Sequence, residues 1–286
     1  MRTFTFKSLF LTVLFVLLGS TAIQAADDVF ITRQITLKLD EAGTLPNKIA
    51  VSRKNLITNL KIVGEINGTD LKFIREMAGC DFNRKKTDGK LSILDLSEAK
   101  IVAGGDAYVR YSDNHYSNDY YTYNDELGNY VFYDCSGLTS LTIPSGVTSI
   151  GYRAFKGCSG LTSMIIPSGV TAIGKEAFYG CSGLTSIYVY PENLPELGTY
   201  IFNECDAKNC TVYVPKGTYD AYKSSEFGYF EKIVEFDASG IDKVTTSTNA
   251  KEVSRYSVNG KRLSAPAKGL NIVKYSDGSV KKVVVQ

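Results

Sequence analysis

Apolar and polar positions repeat with a fixed period over residues 135–205. Residues 135–157 read CSGLTSLTIPSGVTSIGYRAFKG, residues 158–180 read CSGLTSMIIPSGVTAIGKEAFYG, and a copy one residue longer begins at Cys181. A period of about 20–29 residues is typical of a solenoid, because one such unit cannot bury its apolar face alone. The pattern therefore predicts a stack of similar coils.

Each repeat contains the signal of a short strand. In the first full copy Leu138 is followed by Leu141 and Ile143, and the last two are spaced to lie on one face of a strand. Pro144 ends that strand, because it has no N–H for a continuing ladder. One such strand per coil predicts a sheet of mainly parallel strands. The same offsets recur at Leu161, Met164, Ile166, Leu184, Ile187 and Val189.

An aromatic position recurs as well. Phe132, Phe155, Phe178 and Phe202 follow one another at spacings of 23, 23 and 24 residues. Because stacked strands lie about 4.8 Å apart, these rings are predicted to form one continuous column in the core.

The repeat motif resembles a known type. The segments CSGLTSLTIP, IGYRAFKGC and IGKEAFYGC resemble the BspA-like leucine-rich repeats, a bacterial type with a C-x-x-L-x-x-[LI]-x-[IL]-P strand and a G-x-x-A-F-x-x-C return. Members of that family are typically exported or displayed on the cell surface, and several are implicated in adhesion. The resemblance implies a leucine-rich repeat solenoid, α+β in class, with a role in binding other proteins.

The residues before the repeats divide into three predicted segments. Residues 1–25 have a positively charged start, an apolar core and a plausible cleavage site, so they are predicted to be a signal peptide. Residues 26–55 are predicted to cap the open end of the stack, and residues 56–236 to form the solenoid. Within the solenoid, Leu71, Ile74 and Ala78 lie at helical spacing after Thr69, and Gly79 follows as a stop signal.

The period breaks once, because the strand signals at Leu91 and Leu138 are 47 residues apart. The excess, residues 104–130, is predicted to leave the solenoid as a loop on one face. It is acidic and rich in tyrosine, and Tyr together with Ser, Asn and Asp is the composition of recognition loops. The candidate binding residues are Tyr108, Tyr111, Tyr116, Tyr120, Tyr121 and Tyr123.

The sequence leaves several interpretations of this insertion open. It is either a flexible, tolerated insertion, ordered in part by tyrosines on the convex surface, or a binding loop. Asp113, Asn114, Asp119 and Asp125 are of the residue types that bind calcium, although their spacing fits no EF-hand loop. His115, the single histidine of the chain, is expected to be a solvated side chain.

The C-terminal residues are predicted to be a separate unit. Residues 237–250 are rich in small polar residues and indicate a linker, whereas residues 251–286 contain Asn259-Gly260 and Asp277-Gly278, two hairpin signals. The sequence YSVNGKRLSAPAKGLNIVKYSDGSVKKVVV resembles the short C-terminal β modules of exported Bacteroidetes proteins, some of which are sorting signals for type IX secretion. The resemblance implies a small antiparallel β module and that route of secretion.

Four of the six cysteines share one repeat position. These are Cys135, Cys158, Cys181 and Cys205. Neighbouring coils place such thiols about 4.8 Å apart, but their parallel side-chain vectors suit the torsion of a disulfide badly. They are therefore predicted to be buried free thiols, and Cys205 with Cys210 is the pair considered for a local bridge.

Charge and missing motifs argue against several classes of function. Of 32 basic and 30 acidic residues the signal peptide removes two basic ones, and the remaining 30 of each favour no nucleic-acid partner. One histidine cannot build a Ser-His-Asp triad or a multi-histidine zinc site. No Walker loop or nucleophile elbow occurs either, so we predict no enzymatic activity, no cofactor and no bound metal.

The leading functional prediction is an exported, monomeric adhesin that presents its strand face to a host-matrix or bacterial surface protein. Ile165 and Tyr188, joined by Tyr190, are expected to form a small apolar patch there, although sheet propensity alone also explains them. The alternatives are glycan binding through the tyrosine-rich insertion and a structural envelope protein. No membrane span is expected once the signal peptide is removed.

Overall fold

The structure, a computed structural model, describes residues 30–112, 116–237, 252–257, 262–263, 265, 269–275 and 280–285. The predicted signal peptide, residues 113–115 and residues 238–251 lie outside these ranges. They include His115, two of the four calcium-ligand candidates and nearly all of the predicted linker. The chain divides into two units, Met1–Phe236 and Asp237–Gln286.

Parallel strands from successive coils form the main sheet of the first unit. Its eight strands follow the order β1-β2-β3-β7-β9-β11-β13-β14, and each neighbouring pair is parallel. The strands are β1 Ile35–Leu39, β2 Asn59–Ile66, β3 Ile93–Ile101, β7 Ser140–Thr142, β9 Ser163–Ile166, β11 Ser186–Val189, β13 Thr211–Pro215 and β14 Lys232–Phe236. The predicted strand of each repeat is thus confirmed, and the segment predicted as a cap contributes β1.

A second parallel sheet is built from the return segments of the coils. Its order is β12-β10-β8-β6, and its strands are β6 Glu126–Leu127, β8 Ser149–Ile150, β10 Ala172–Ile173 and β12 Glu196–Leu197. A glycine follows each strand where neighbouring coils approach closely. A Cβ on Gly174, for example, would lie 2.6 Å from the backbone nitrogen of Tyr152 in the coil before.

The four recurring phenylalanines form the predicted column. From Phe132 through Phe155 and Phe178 to Phe202, ring centroids are 5.6, 5.1 and 5.7 Å apart and ring planes differ by 14°, 4° and 9°. All four rings are buried. Phe227 and Phe230 continue the aromatic packing, with centroids 4.9 and 5.0 Å from that of Phe202.

The cysteines at the repeat position are buried free thiols, as predicted, and they also form hydrogen bonds between coils. The thiols of Cys158, Cys181 and Cys205 donate to the carbonyls of Phe132, Phe155 and Phe178 at 3.0, 3.1 and 3.2 Å. Cys205 and Cys210 are both free thiols, so the local bridge considered for them is not formed in the structure.

Helices are short and lie at the two ends of the solenoid sequence. They are α1 Leu45–Lys48, α2 Val51–Lys54, α3 Gly68–Met77, α4 Tyr219–Lys223 and the 3₁₀ helix Glu226–Tyr229. Helix α3 begins slightly before the predicted position, because Asn67 caps it: the Asn67 side chain accepts from the Thr69 N–H, and Asp70 accepts from the Asn67 N–H. Gly79, at φ +95°, follows its end as predicted.

The insertion is a two-stranded antiparallel sheet, so the prediction of a loop was wrong. Its strands are β4 Gly104–Ser112 and β5 Ser117–Thr122. Between the two strands Arg110 forms a bidentate ion pair with Asp119, in which Nε and Nη2 donate to the two carboxylate oxygens at 2.7 and 3.0 Å. The Asp106 N–H donates to the Thr69 hydroxyl of α3 at 2.9 Å. Strand pairing and contact with α3 together hold the insertion on the solenoid.

The second unit is an antiparallel sheet in the order β16-β15-β17-β18. Its strands are β15 Glu252–Ser257, β16 Arg262–Leu263, β17 Gly269–Tyr275 and β18 Val280–Val285. The antiparallel pairs β15–β16 and β17–β18 flank the two predicted hairpin turns, whose Asn-Gly and Asp-Gly residues lie outside the described ranges. The antiparallel pairing agrees with those turn signals.

Candidate functional site

One side-chain position of every strand lines up across the main sheet. The register places in one row Thr36, Lys61, Asp95, Thr142, Ile165, Tyr188, Tyr213 and Val234. All eight are partly or largely exposed. The row is polar from β1 to β7 and apolar from β9 to β14, so the strand face has two chemically different halves.

The charged side chains of the polar half are paired with one another. Lys61 donates to Asp95 at 3.3 Å and to Glu98 at 2.6 Å, and these two carboxylates raise the pKa of Lys61. Burial alone would raise the pKa of Asp95, but hydrogen bonds from Ser97 and Lys61 outweigh that effect and lower it. One lysine thus faces two carboxylates, and the pairing holds all three side chains in place.

The apolar half is an aromatic cluster. Tyr188 and Tyr213 stack with centroids 4.5 Å apart and planes 7° apart, and Phe236 packs edge-on against Tyr190 at 5.2 Å. Ile165 and Val234 flank the stacked pair and are 41% and 45% exposed. The name aromatic strand face is used below for Ile165, Tyr188, Tyr190, Tyr213, Val234 and Phe236.

The structure brings the three predicted residues of this face together and adds three that the sequence analysis missed. Ile165 and Tyr188 are register partners, and Tyr190 lies two residues after Tyr188, just beyond the end of β11. The missed residues are Tyr213, Val234 and Phe236. Tyr213 had a usable signal, because CTVYVP repeats the offset of Tyr188 within its strand.

Three tyrosines of the insertion pack inward. Tyr108 is 1% exposed and its hydroxyl donates to the Asn129 carbonyl at 2.7 Å, so it is a core residue and its prediction as a binding residue was wrong. Burial raises its pKa. Tyr111 and Tyr120 contact the ring of Tyr130 at 4.5 and 4.9 Å, which leaves them half-buried between hairpin and solenoid.

The other three predicted tyrosines are exposed. Tyr116, Tyr121 and Tyr123 expose 70%, 50% and 63% of their surface. Tyr121 and Tyr123, with Tyr120, line a groove of about 760 Å³ between the hairpin and the second sheet. Tyr152 and the glycines that follow β6, β8, β10 and β12 also line it. Tyr116 is not among the residues that line the groove.

Carboxylates also line this groove, namely Asp119, Glu126 and Glu196. Asp119 is held by Arg110, whose hydrogen bonds lower its pKa, so it is already paired and unsuited to the calcium site considered for it. Within the described ranges no group of three or more His, Cys, Asp or Glu side chains could hold a metal ion.

The comparisons with known proteins agree with the repeat architecture. The family model of the BspA type leucine rich repeat region matches residues 125–256, in six copies. Among curated proteins none gives a significant match. No helix in the described part of the chain has the length and apolar character that a bilayer crossing requires.

One solved structure in these comparisons is a leucine-rich repeat protein from Bacteroides ovatus. It is 20% identical to this chain and aligns with a TM-score of 0.36 over 72% of it. The alignment covers 42% of that protein, so this chain spans well under half of its length. The family-model match and the parallel strands of the two sheets in the first unit together show a repeat fold of the leucine-rich repeat kind, with mostly parallel strands.

Proposed function

We propose that the protein is an exported, non-catalytic interaction module that works as an adhesin. Its aromatic strand face would bind a protein of the host matrix or of a bacterial surface. The observation that supports this role is the stacked pair Tyr188–Tyr213, flanked by exposed Ile165 and Val234 on a single row of the sheet.

The chemistry of this face suits protein recognition. Tyrosine rings provide large contact areas at low entropic cost, and aromatic residues are enriched at the energetic centres of protein interfaces. Because the rings are fixed by stacking and by the strands beneath them, binding would require little reordering. The polar half, with its paired charges, would form the rim of such an interface.

Export is part of the proposal. The signal peptide predicted at residues 1–25 supports entry into the export pathway, and the resemblance of residues 251–286 to sorting modules supports type IX secretion. Deletion of residues 251–286 should then leave the protein in the periplasm. Unchanged surface display of the truncated protein would contradict this route.

A single substitution in the aromatic strand face tests the adhesin role. Tyr188→Asp places a charge in the middle of the face, and we expect adhesion of beads coated with the full-length chain to matrix proteins or bacterial cells to fall about 10-fold or more. Thr36→Asp is the matched control, because Thr36 lies in the same row on β1, five strands away. Equal adhesion of wild type and Tyr188→Asp would remove the proposal.

Glycan binding in the hairpin groove is the second candidate function. It is supported by exposed Tyr121 and Tyr123 beside carboxylates, since aromatic rings can stack on sugar faces and carboxylates accept from hydroxyls. The double variant Tyr121→Ala/Tyr123→Ala should abolish binding on a glycan array, whereas Tyr116→Ala, exposed on the same hairpin, should not. Array binding that survives the double variant would contradict this role.

A further inference from the structure

Arg75 is an arginine of α3 that is fully buried beneath the inserted hairpin and the first coil. Its guanidinium donates to the carbonyls of Tyr130 and Val131 at 3.1 and 2.9 Å, and more distantly to those of Asp81 and Tyr133. Carbonyls are neutral acceptors, and the Arg75 Nε has no hydrogen-bond partner among the described residues. A buried cation of this kind favours a neighbouring group that can become an anion.

Two thiols occupy that neighbouring position. Arg75 Nη2 lies 3.4 Å from Cys80 Sγ, and Arg75 Nη1 lies 4.0 Å from Cys135 Sγ. Both sulfurs therefore lie against the same guanidinium group. Both side chains are buried free thiols.

Cys135 meets Cys80 because it stands first in the cysteine column. Each later thiol of the column donates to the phenylalanine carbonyl of the coil before it. Cys135 has no earlier phenylalanine of the column beneath it, and it lies instead on the Arg75 guanidinium that also contacts Cys80, just after α3. The pair is therefore specific to this end of the repeats.

The environment activates one of the two sulfurs. Contact with Cys135 lowers the pKa of Cys80, and Arg75 adds to this effect against the opposing effects of burial, Asp134 and Asp81. Contact with Cys80 and burial raise the pKa of Cys135. Cys80 also lines a surface cavity that Cys135 does not line, so Cys80 is the nucleophile and Cys135 the resolving thiol.

A cavity gives small molecules a path to Cys80. It has a volume of about 480 Å³, and its lining includes Cys80, Arg84, Lys86, Lys90 and Asp134. The three basic side chains outnumber the one acidic side chain in this group, so the cavity favours the binding of anionic small molecules. Low-molecular-weight disulfides with carboxylates, such as oxidised glutathione, have that character.

We propose that Cys80 and Cys135 are a redox-active pair, oxidised to an intramolecular disulfide by a small disulfide that enters through this cavity. The Cys80 thiolate attacks one sulfur of the small disulfide, forms a mixed disulfide and releases the other sulfur as a thiolate. The sulfur of Cys135 then attacks Cys80 Sγ, and the departing small-molecule sulfur takes up the proton that Cys135 loses and leaves as a thiol. Two protein thiols are oxidised while one small disulfide is reduced to two thiols.

The disulfide would tie the end of α3 to the first repeat coil and close a loop that contains the whole inserted hairpin. This property is independent of the aromatic strand face and of any ligand bound there. It predicts that the oxidised protein has four free thiols and the reduced protein six.

Stoichiometry of thiol exchange tests the proposal on the full-length, reduced protein in its native state. With 4,4′-dithiodipyridine at pH 7 we expect a fast phase that releases two thiopyridones per protein. This phase should be about 10-fold faster than the reaction of the other four buried thiols. Its rate should rise with pH at a midpoint below the usual pKa of a cysteine thiol. Peptide mapping of the wild-type product should then show Cys80 linked to Cys135, which requires no variant.

Substitutions separate the two roles. Cys135→Ser should release one thiopyridone and keep a mixed disulfide at Cys80, Cys80→Ser should lose the fast phase, and Cys158→Ser, the matched column control, should behave as wild type. A fast phase that survives in Cys80→Ser, or a mapped bridge between Cys205 and Cys210, would overturn the proposal. So would a wild-type protein in which all six thiols react at one slow rate.

Discussion

Phe155 and Phe178 stack with their ring centroids 5.1 Å apart and their planes within 4° of each other, although they are 23 residues apart in sequence. Each ring contacts the same residue type above and below it, so the column of phenylalanines is continuous through the repeats. Removing one ring interrupts contacts with two coils at once.

The first prediction follows from this column. Phe155→Ala should lower the free energy of unfolding by about 3–5 kcal/mol, because the lost ring leaves a cavity between two stacked neighbours. Ile165→Ala, at an exposed position of the next coil, should lower it by about 1 kcal/mol or less. Chemical denaturation measures both values, and a loss below about 1 kcal/mol for Phe155→Ala would contradict the continuous column.

The second prediction concerns the close approach of neighbouring coils. Gly174→Ala should destabilise the protein by about 1–3 kcal/mol, because the new Cβ would lie 2.6 Å from the Tyr152 nitrogen and 2.7 Å from the Gly151 carbonyl carbon. Gly146→Ala is the control, since its Cβ would meet only Asp125 at 3.8 Å. Thermal unfolding temperatures of the two variants should therefore differ, and equal temperatures would refute the explanation.

The third prediction concerns Asp70, a fully buried carboxylate at the start of α3. It accepts hydrogen bonds from the backbone N–H groups of Gly43, Leu45 and Asn67 at 2.6, 2.9 and 2.9 Å. Asp70→Ala would leave these donors without their acceptor and should cost about 3 kcal/mol or more in unfolding free energy. Asp40→Ala removes a largely exposed carboxylate and should have little effect in the same measurement.

The fourth prediction is a pH dependence at Glu176, which is 10% exposed and contacts Arg153 and Lys156 at 2.9 and 2.7 Å. Burial would raise the pKa of Glu176, but hydrogen bonds from these two cations outweigh it and lower the pKa. The unfolded chain therefore takes up this proton at a higher pH than the folded chain does. The stabilisation is complete above about pH 4.3, the usual glutamate pKa, and is lost as pH falls further.

Glu176→Gln measures that contribution. At pH 7 it should lower the free energy of unfolding by about 1–3 kcal/mol, and the difference from wild type should shrink as the pH approaches about 3. Glu192→Gln, at an exposed position, serves as the control. A difference that grows on acidification would show that the sign of the shift is wrong.

Repetition explains why much of the fold was predictable from the sequence. Because each copy repeats the same offsets, the strand at Leu141 and Ile143 and the column through Phe155 could be inferred from several copies at once. Local capping is less regular. Thr218 precedes α4, and threonine is a common capping residue, but its side chain caps no N–H; Glu235 from β14 accepts from the N–H groups of Gly217 and Tyr219 instead.

The insertion was harder to predict, because it has no second copy. Its strands pair across a bulge, and inward and outward positions do not alternate regularly: Ala107, Tyr108 and Val109 are all buried. The two-residue strands of the second sheet likewise leave no periodicity to detect. Arg75 could not be anticipated as a buried cation either, since its carbonyl acceptors lie about 55 residues away in sequence.

In the candidate site, too, the residues at repeated positions were predictable and the others were not. Ile165 and Tyr188 could be inferred because they occupy one repeat offset, whereas Phe236 could not, because β14 belongs to the closing segment where the period is lost. Tyr108 was assigned to binding because tyrosine composition alone does not separate the buried side of a hairpin from its exposed side.

The repeated contact between coils also makes the solenoid a spacer. Each of the coils over residues 135–204 carries its own phenylalanine, thiol and glycine, so a chain with one further copy of residues 158–180 would satisfy the same contacts at each junction. The polar half of the strand row and the aromatic strand face lie on different strands of the main sheet, so each coil added between them would separate them by about 4.8 Å. Coil number can therefore vary the distance between the two surfaces while the chemistry of each stays the same.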